Sequence, residues 1–127
     1  MEGKLIHADV SGRIIGAAIE VHRELGPGLL ENAYEECLCY ELSLAGLRFE
    51  RQVALPVQYK RIRLDCGYRA DLIVEGCVLL ELKAVESISP VHVAQLMIDL
   101  RISHIKVGLL INFNSETLDK GITRRVL

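Results

Sequence analysis

Tryptophan is absent from this 127-residue chain, and there are only two phenylalanines and four tyrosines. So few aromatic faces argue against a platform on which successive unpaired bases stack. A surplus of charge is lacking too: 15 Lys and Arg against 17 Asp and Glu leave a formal charge of -2. That excludes a histone-like electrostatic binder but not a local basic patch. No run of 18 apolar residues occurs, so no membrane span is expected. The opening Met1–Asp9 carries acids and no long apolar stretch, unlike a secretory leader. Cys37, Cys39, Cys66 and Cys77 include no CxxC pair. Small core thiols in a reducing cytoplasm therefore account for them better than a zinc site does. The histidines (His7, His22, His92, His104) are too scattered to suggest one. There is no repeat, low-complexity tract or linker.

What is present is an ordinary globular composition, half hydrophobic and one-quarter charged. Residues 1–127 are read as one domain. A helix is expected over 11–25, capped by Ser11, with Ile14, Ile15, Ala18, Ile19, His22 and Leu25 at helical spacing. Gly26-Pro27-Gly28 breaks the chain. A second helix runs from about Leu30 to Ala45, with Gly46 as its stop. Phe49 to Tyr59 reads as a strand that Pro56 confines to an edge or a bulge. Arg63–Val74 and Cys77–Val85 read as a hairpin. Ser89-Pro90 starts a helix to about Ser103, apolar nearly all round and so expected to be largely buried. Lys106–Phe113 is a continuous apolar run, as in a central strand covered on both faces. Gly121–Leu127 adds a short strand. The result is an α/β sheet with helices packed on it.

Chemistry concentrates in that hairpin. Asp71 lies on its first strand, and Glu81 and Lys83 lie on its second, sharing a face because strand side chains alternate. A Glu and a Lys within a run as apolar as Val78–Val85 are costly unless they pair or hold a metal. If Asp71 opposes Glu81, the pairing centres on Gly76. A strict two-residue Glu75-Gly76 loop would instead oppose Asp71 to Leu80, so a three-residue loop or a bulge is expected. Facing carboxylates repel. A hard divalent cation, Mg²⁺ or Mn²⁺, relieves that repulsion, and Lys83 beside it can orient water or stabilise charge on phosphorus. On these three residues alone, metal-dependent phosphodiester cleavage and a salt-bridged strand rim both remain open readings.

Other residues carry two readings each. Glu31 in the first turn of the second helix complements its dipole, with Tyr34 and Glu35 on the same face. Gln95, inside an apolar helix, needs partners: a metal's water or a substrate phosphate, or a helix-to-sheet hydrogen bond. His22 is a core or capping residue in preference to a substrate contact. Arg48, Arg51, Lys60, Arg61, Arg63 and Arg69 form the most basic stretch. They either track a phosphate backbone or protect a solvated strand edge from aggregation.

The segment Ile15-Gly16-Ala17-Ala18-Ile19-Glu20-Val21-His22-Arg23-Glu24-Leu25-Gly26-Pro27-Gly28-Leu29-Leu30-Glu31-Asn32-Ala33-Tyr34 resembles the hallmark of the GxxExxY protein family, placed in the PD-(D/E)XK nuclease superfamily. Arg51–Val57, Arg69–Val74, Val78–Ala84 and Gly108–Phe113 resemble it too, in order and over nearly the whole chain. The resemblance implies a restriction-endonuclease-like α-β-β-β-α-β core, a mixed central sheet flanked by helices. It matches Asp71 and Glu81 to metal-binding acids, Lys83 to the catalytic lysine, Glu31 to the acid of the leading helix, and Gln95 to the glutamine of the following helix. Ala70 stands where the superfamily's naming proline would be, Asp99 where relatives often carry an aromatic residue, and His104 where they carry a small one.

The function expected is a cytoplasmic Mg²⁺-dependent nuclease, with Mn²⁺ as a substitute, acting on nucleic acid, DNA first. The alternative is a non-catalytic nucleic-acid- or protein-binding module on the same fold. A chain of this size leaves little room for a dedicated recognition arm, which points to a homodimer or a partner protein.

Overall fold

The computed structural model of the protein describes residues 6–127; the first part of the Met1–Asp9 stretch lies outside them. Helices α1 (Ala8–Leu25) and α2 (Glu31–Leu44) lead into strand β1 (Phe49–Ala54). A small hairpin follows, β2 (Val57–Tyr59) and β3 (Ile62–Leu64), then β4 (Arg69–Val74) and β5 (Val78–Lys83). Helix α3 (Pro90–Ser103), β6 (Val107–Asn112), a 3-10 turn at Leu118–Gly121 and β7 (Ile122–Val126) complete the chain. The main sheet has the order β1-β4-β5-β6-β7. Only β5 and β6 are parallel, joined through α3, so the sheet is mixed. This is the expected α/β architecture, a restriction-endonuclease-like core with helices on both faces.

Strand alternation divides the core in two. Leu72, Val74, Leu80, Leu82, Leu109 and Ile111 pack against Ile14, Tyr34, Leu38 and Leu42 of α1 and α2. On the other face, Ile73, Leu79 and Leu110 meet Leu96 and Leu100 of α3. Every residue of β6 is buried, as its continuous apolar run requires.

Several boundaries differ from expectation. Helix α1 begins one turn early, and Ser11 is not its cap but a buried residue donating to the Ala8 carbonyl at 3.3 Å. The expected Phe49–Tyr59 strand breaks at Leu55-Pro56, because proline cannot continue a ladder, and its second half pairs instead with β3. That β2–β3 hairpin stands in a sheet of its own. Helix α3 is not largely buried: it covers the sheet with Leu96, Asp99 and Leu100, while Val91 and Ile98 remain exposed. A helix lying on a single sheet face buries one stripe, whatever the rest of its composition. Cys39 is buried as expected, whereas Cys66 is exposed; all four thiols are free.

The seat of α3 on the sheet depends on Gly108. A Cβ added there would lie 2.9 Å from Leu96 Cδ1 and 3.1 Å from Leu100 Cδ2. Gly108→Val should therefore lift α3 from the sheet and cost about 1–3 kcal/mol, read as a lowered urea midpoint with an unchanged m-value.

Candidate active site

Two αL residues close the hairpin that carries the acids. Glu75 and Gly76 have φ of 53° and 64°, and the Cys77 N–H donates to the Val74 carbonyl at 3.0 Å. Val74 then pairs with Val78, Ile73 with Leu79 and Leu72 with Leu80. The loop is thus the expected three residues, and its register carries Asp71 opposite Glu81. Ladder pairing stops there. In its place, the Leu82 N–H donates to Asp71 Oδ2 at 2.7 Å. The other oxygen, Oδ1, accepts from Gln52 Nε2 at 3.3 Å.

Glu81 and Lys83 project into a cavity of about 510 Å³ between the sheet and α3, lined also by Tyr68, Arg69, His92, Gln95 and Asp99. Gln95 is exposed there, so it is not the buried glutamine that the helix composition implied. Its position on the cavity wall leaves it free to face a ligand. The start of α3 is held by Pro90 in its first turn and by the Ser89 N–H donating to His92 Nδ1 at 3.0 Å.

Glu81 is the electrostatic anomaly. Its Oε1 is buried with no hydrogen-bond partner among the described residues. Desolvation first, then the contact with Asp99 and the negative charge of Asp71, push its carboxyl up to about 10; Lys83 opposes this only in part. Burial likewise raises Asp99 from its ordinary value, and the contact with Glu81 opposes that rise. Two desolvated carboxyls in hydrogen-bonding reach cannot both ionise without a cation between them.

Glu31 reaches this region from α2. The Ala84 N–H, one residue beyond β5, donates to Glu31 Oε2 at 3.3 Å. The turn before it explains the placement. Gly28 has φ of 110°, open only to glycine at low cost. Buried Tyr34 donates to the Gly26 carbonyl at 2.6 Å, accepts from the Leu29 N–H at 3.1 Å, and stacks on Phe113 at 4.6 Å. His22 Nε2 lies 2.8 Å from the Ser115 carbonyl, a contact that ties the end of α1 to the turn after β6.

Three residues with a bearing on the site carried little sequence signal. Buried Glu35 is held by Arg51 Nη2 at 2.9 Å and by Gln52 Nε2 at 2.9 Å, which links α2 to the Asp71 partner. Asn112 clamps the chain after Lys83: the Val85 N–H donates to its Oδ1 at 3.0 Å, and its Nδ2 donates to the Val85 carbonyl at 2.9 Å. Asp99 stood out only as an unusual residue for its position. Its i+4 spacing from Gln95 was the signal available, since both then lie along one face of the helix.

The donor set suits a hard divalent cation. Carboxylate oxygens predominate, one of them is orphaned, and Mg²⁺ commonly uses one or two carboxylates while keeping its waters. Among the described residues, no three His, Cys, Asp or Glu side chains converge into a ready cage. Asp71 and Glu81 are neighbours in register, Glu81 and Asp99 touch, and Glu31 sits at the strand end.

In comparisons with known proteins, a family model described as the PD-(D/E)XK nuclease superfamily matches residues 8–125. No curated protein and no solved structure matches.

The Glu81 shift has a stability consequence. Between about pH 4.5 and 10 the folded chain keeps a proton at Glu81 that the unfolded chain has lost, so stability falls as pH rises through that window. In EDTA at pH 8, Glu81→Gln should melt on the order of a few °C above the parent. The gap should close near pH 4. Equal melting temperatures at both pH values would show that Glu81 is not desolvated.

Proposed function

The chain belongs to the PD-(D/E)XK nuclease superfamily, and from that premise we propose that it is a Mg²⁺-dependent nuclease of the GxxExxY type, cleaving phosphodiester bonds in DNA. Superfamily membership makes the nuclease reading and a divalent-metal requirement the starting point. The observation that carries the reading to this chain is the orphaned, desolvated Glu81 carboxylate beside Lys83 in an open cavity. A structural acid would have been given partners.

Asp71 and Glu81 would hold the cation, with Glu31 joining from α2. When bound, the cation supplies positive charge to a phosphoryl oxygen and lowers the pKa of a water. The residues of the chain do the rest. Lys83 positions the attacking water and stabilises charge as it grows on phosphorus. The water oxygen bonds to phosphorus, the bridging P–O bond breaks, and the departing oxygen takes up a proton. Gln95, exposed on the cavity wall, orients the water or the phosphate. The Asn112 clamp and the Phe113 N–H, which donates to the Lys83 carbonyl at 2.8 Å, fix the backbone from which Lys83 extends.

The β2–β3 arm supports a nucleic-acid substrate. It presents Lys60, Arg61 and Arg63 with Tyr59 and Ile62 exposed among them, and the chain returns from it to the cavity through Tyr68 and Arg69. Free thiols throughout support a reducing compartment such as the cytoplasm. The lack of a ready three-acid cage among the described residues favours the second reading, a non-catalytic binding module on the same fold. A homodimer or a partner protein is compatible with either.

Two experiments test this. With Mg²⁺ or Mn²⁺ and mixed single- and double-stranded DNA and RNA, the parent should cleave DNA. Lys83→Ala should lose at least a hundredfold in rate while its melting temperature stays close to the parent's. Equal cleavage by the two proteins would remove Lys83 from the mechanism, and no cleavage under any condition would favour the binding module. Separately, replacing Lys60, Arg61 and Arg63 together by Ala should weaken DNA binding and lower the salt slope by roughly 2–3. An unchanged slope would dismiss the arm as a phosphate contact.

A further inference from the structure

Asp99 is only 8% exposed, yet among the described residues its carboxylate makes no hydrogen bond to a backbone amide or to a basic side chain. It projects from α3 into the same cavity as Glu81 and Lys83. There it meets Glu81 in a carboxyl–carboxyl contact, beside the buried Oε1 that has no partner. Without a cation the contact holds only while Glu81 keeps its proton, because neither acid can donate once both are ionised. Among the described residues no Arg or Lys forms an ion pair with either; the salt bridges there lie at Arg23, Arg48 and Arg51.

We propose that Asp99 is a metal-ligating residue, so that the cation is held between strand β5 and helix α3 by Glu81 and Asp99 together. This deepens the nuclease reading and rests on it. The strand acids Asp71 and Glu81 come from adjacent strands of one rigid sheet. Asp99 comes from the layer above, on the helix that also carries Gln95 one turn earlier. A cation shared across that gap takes the place of the proton held at Glu81 and ties α3 to the sheet at the height of Lys83. Its presence therefore also sets the width of the cavity in which Gln95 meets the substrate.

The test is a Mn²⁺ titration followed by electron paramagnetic resonance, with melting temperatures in EDTA, on the parent, Glu81→Ala and Asp99→Asn. Asn keeps the shape of the side chain and removes its charge. Asp99→Asn should bind Mn²⁺ tenfold or more weaker than the parent, and in EDTA it should melt at the parent's temperature or above, because Asn keeps an oxygen that can accept from the Glu81 carboxyl and no longer buries a charge. Unchanged Mn²⁺ affinity in Asp99→Asn, with binding lost in Glu81→Ala, overturns the role of Asp99 and leaves the nuclease reading standing. A lower melting temperature in EDTA assigns Asp99 a structural role and overturns the proposal. A parent that binds no Mn²⁺ overturns the metal reading and this one with it.

Discussion

A carboxylate buried without a partner governs this structure. Glu81 lies near the end of a largely apolar strand, under a helix, with one oxygen that no described residue satisfies. Folding normally gives such an atom a hydrogen bond or leaves it in water. Here the surrounding elements are arranged so that neither happens. Strand β5 is locked between β4 and β6, α3 closes over it, and Asp71 is turned aside to the Leu82 amide. The cost is carried by the two apolar cores on either side of the sheet, which gives the site stability to spend on a destabilising but reactive arrangement.

The same logic extends outwards. Tyr34 fills the core, stacks on Phe113, and spends its hydroxyl on the Gly26-Pro27-Gly28 turn. Because that turn is pinned, α2 starts where Glu31 can reach the amide that follows the Lys83 strand. The glycine, the acid and the tyrosine at that spacing are thus one mechanical unit: a backbone shape, a carboxylate and the anchor that holds both. Asn112 does the corresponding work one residue further on, holding Val85 from β6.

Much of this was legible from local pattern. The three-residue Glu75-Gly76-Cys77 loop followed from requiring the two acids to share a face, since a one-residue change of register inverts every side chain. The buried β6 strand was evident from its unbroken apolar run. The burial of α3 was not. Its composition is apolar nearly all round, but how much of a helix is covered depends on how many elements lie against it, and only one sheet face does. Gln95 was misplaced for the same reason. Ser11 had the chemistry of a cap, yet the backbone continued one turn further back. The β2–β3 arm was hidden because Pro56 marks a break without saying where the chain goes next.

The sequence by itself determined the periodicities, and through them the alternating strands, the helical segments, the shared face of Glu81 and Lys83, and the glycine positions that demand left-handed backbone. Those are properties of neighbours along the chain. Only the tertiary structure decided which carboxylates meet. Asp99 and Glu81 are 18 residues apart and on different kinds of element, and nothing in their spacing brings them together. Their contact exists because a glycine at 108 lets α3 settle onto the sheet. Desolvation, the dominant influence on both acids, is a property of the assembled layers and not of any segment within them.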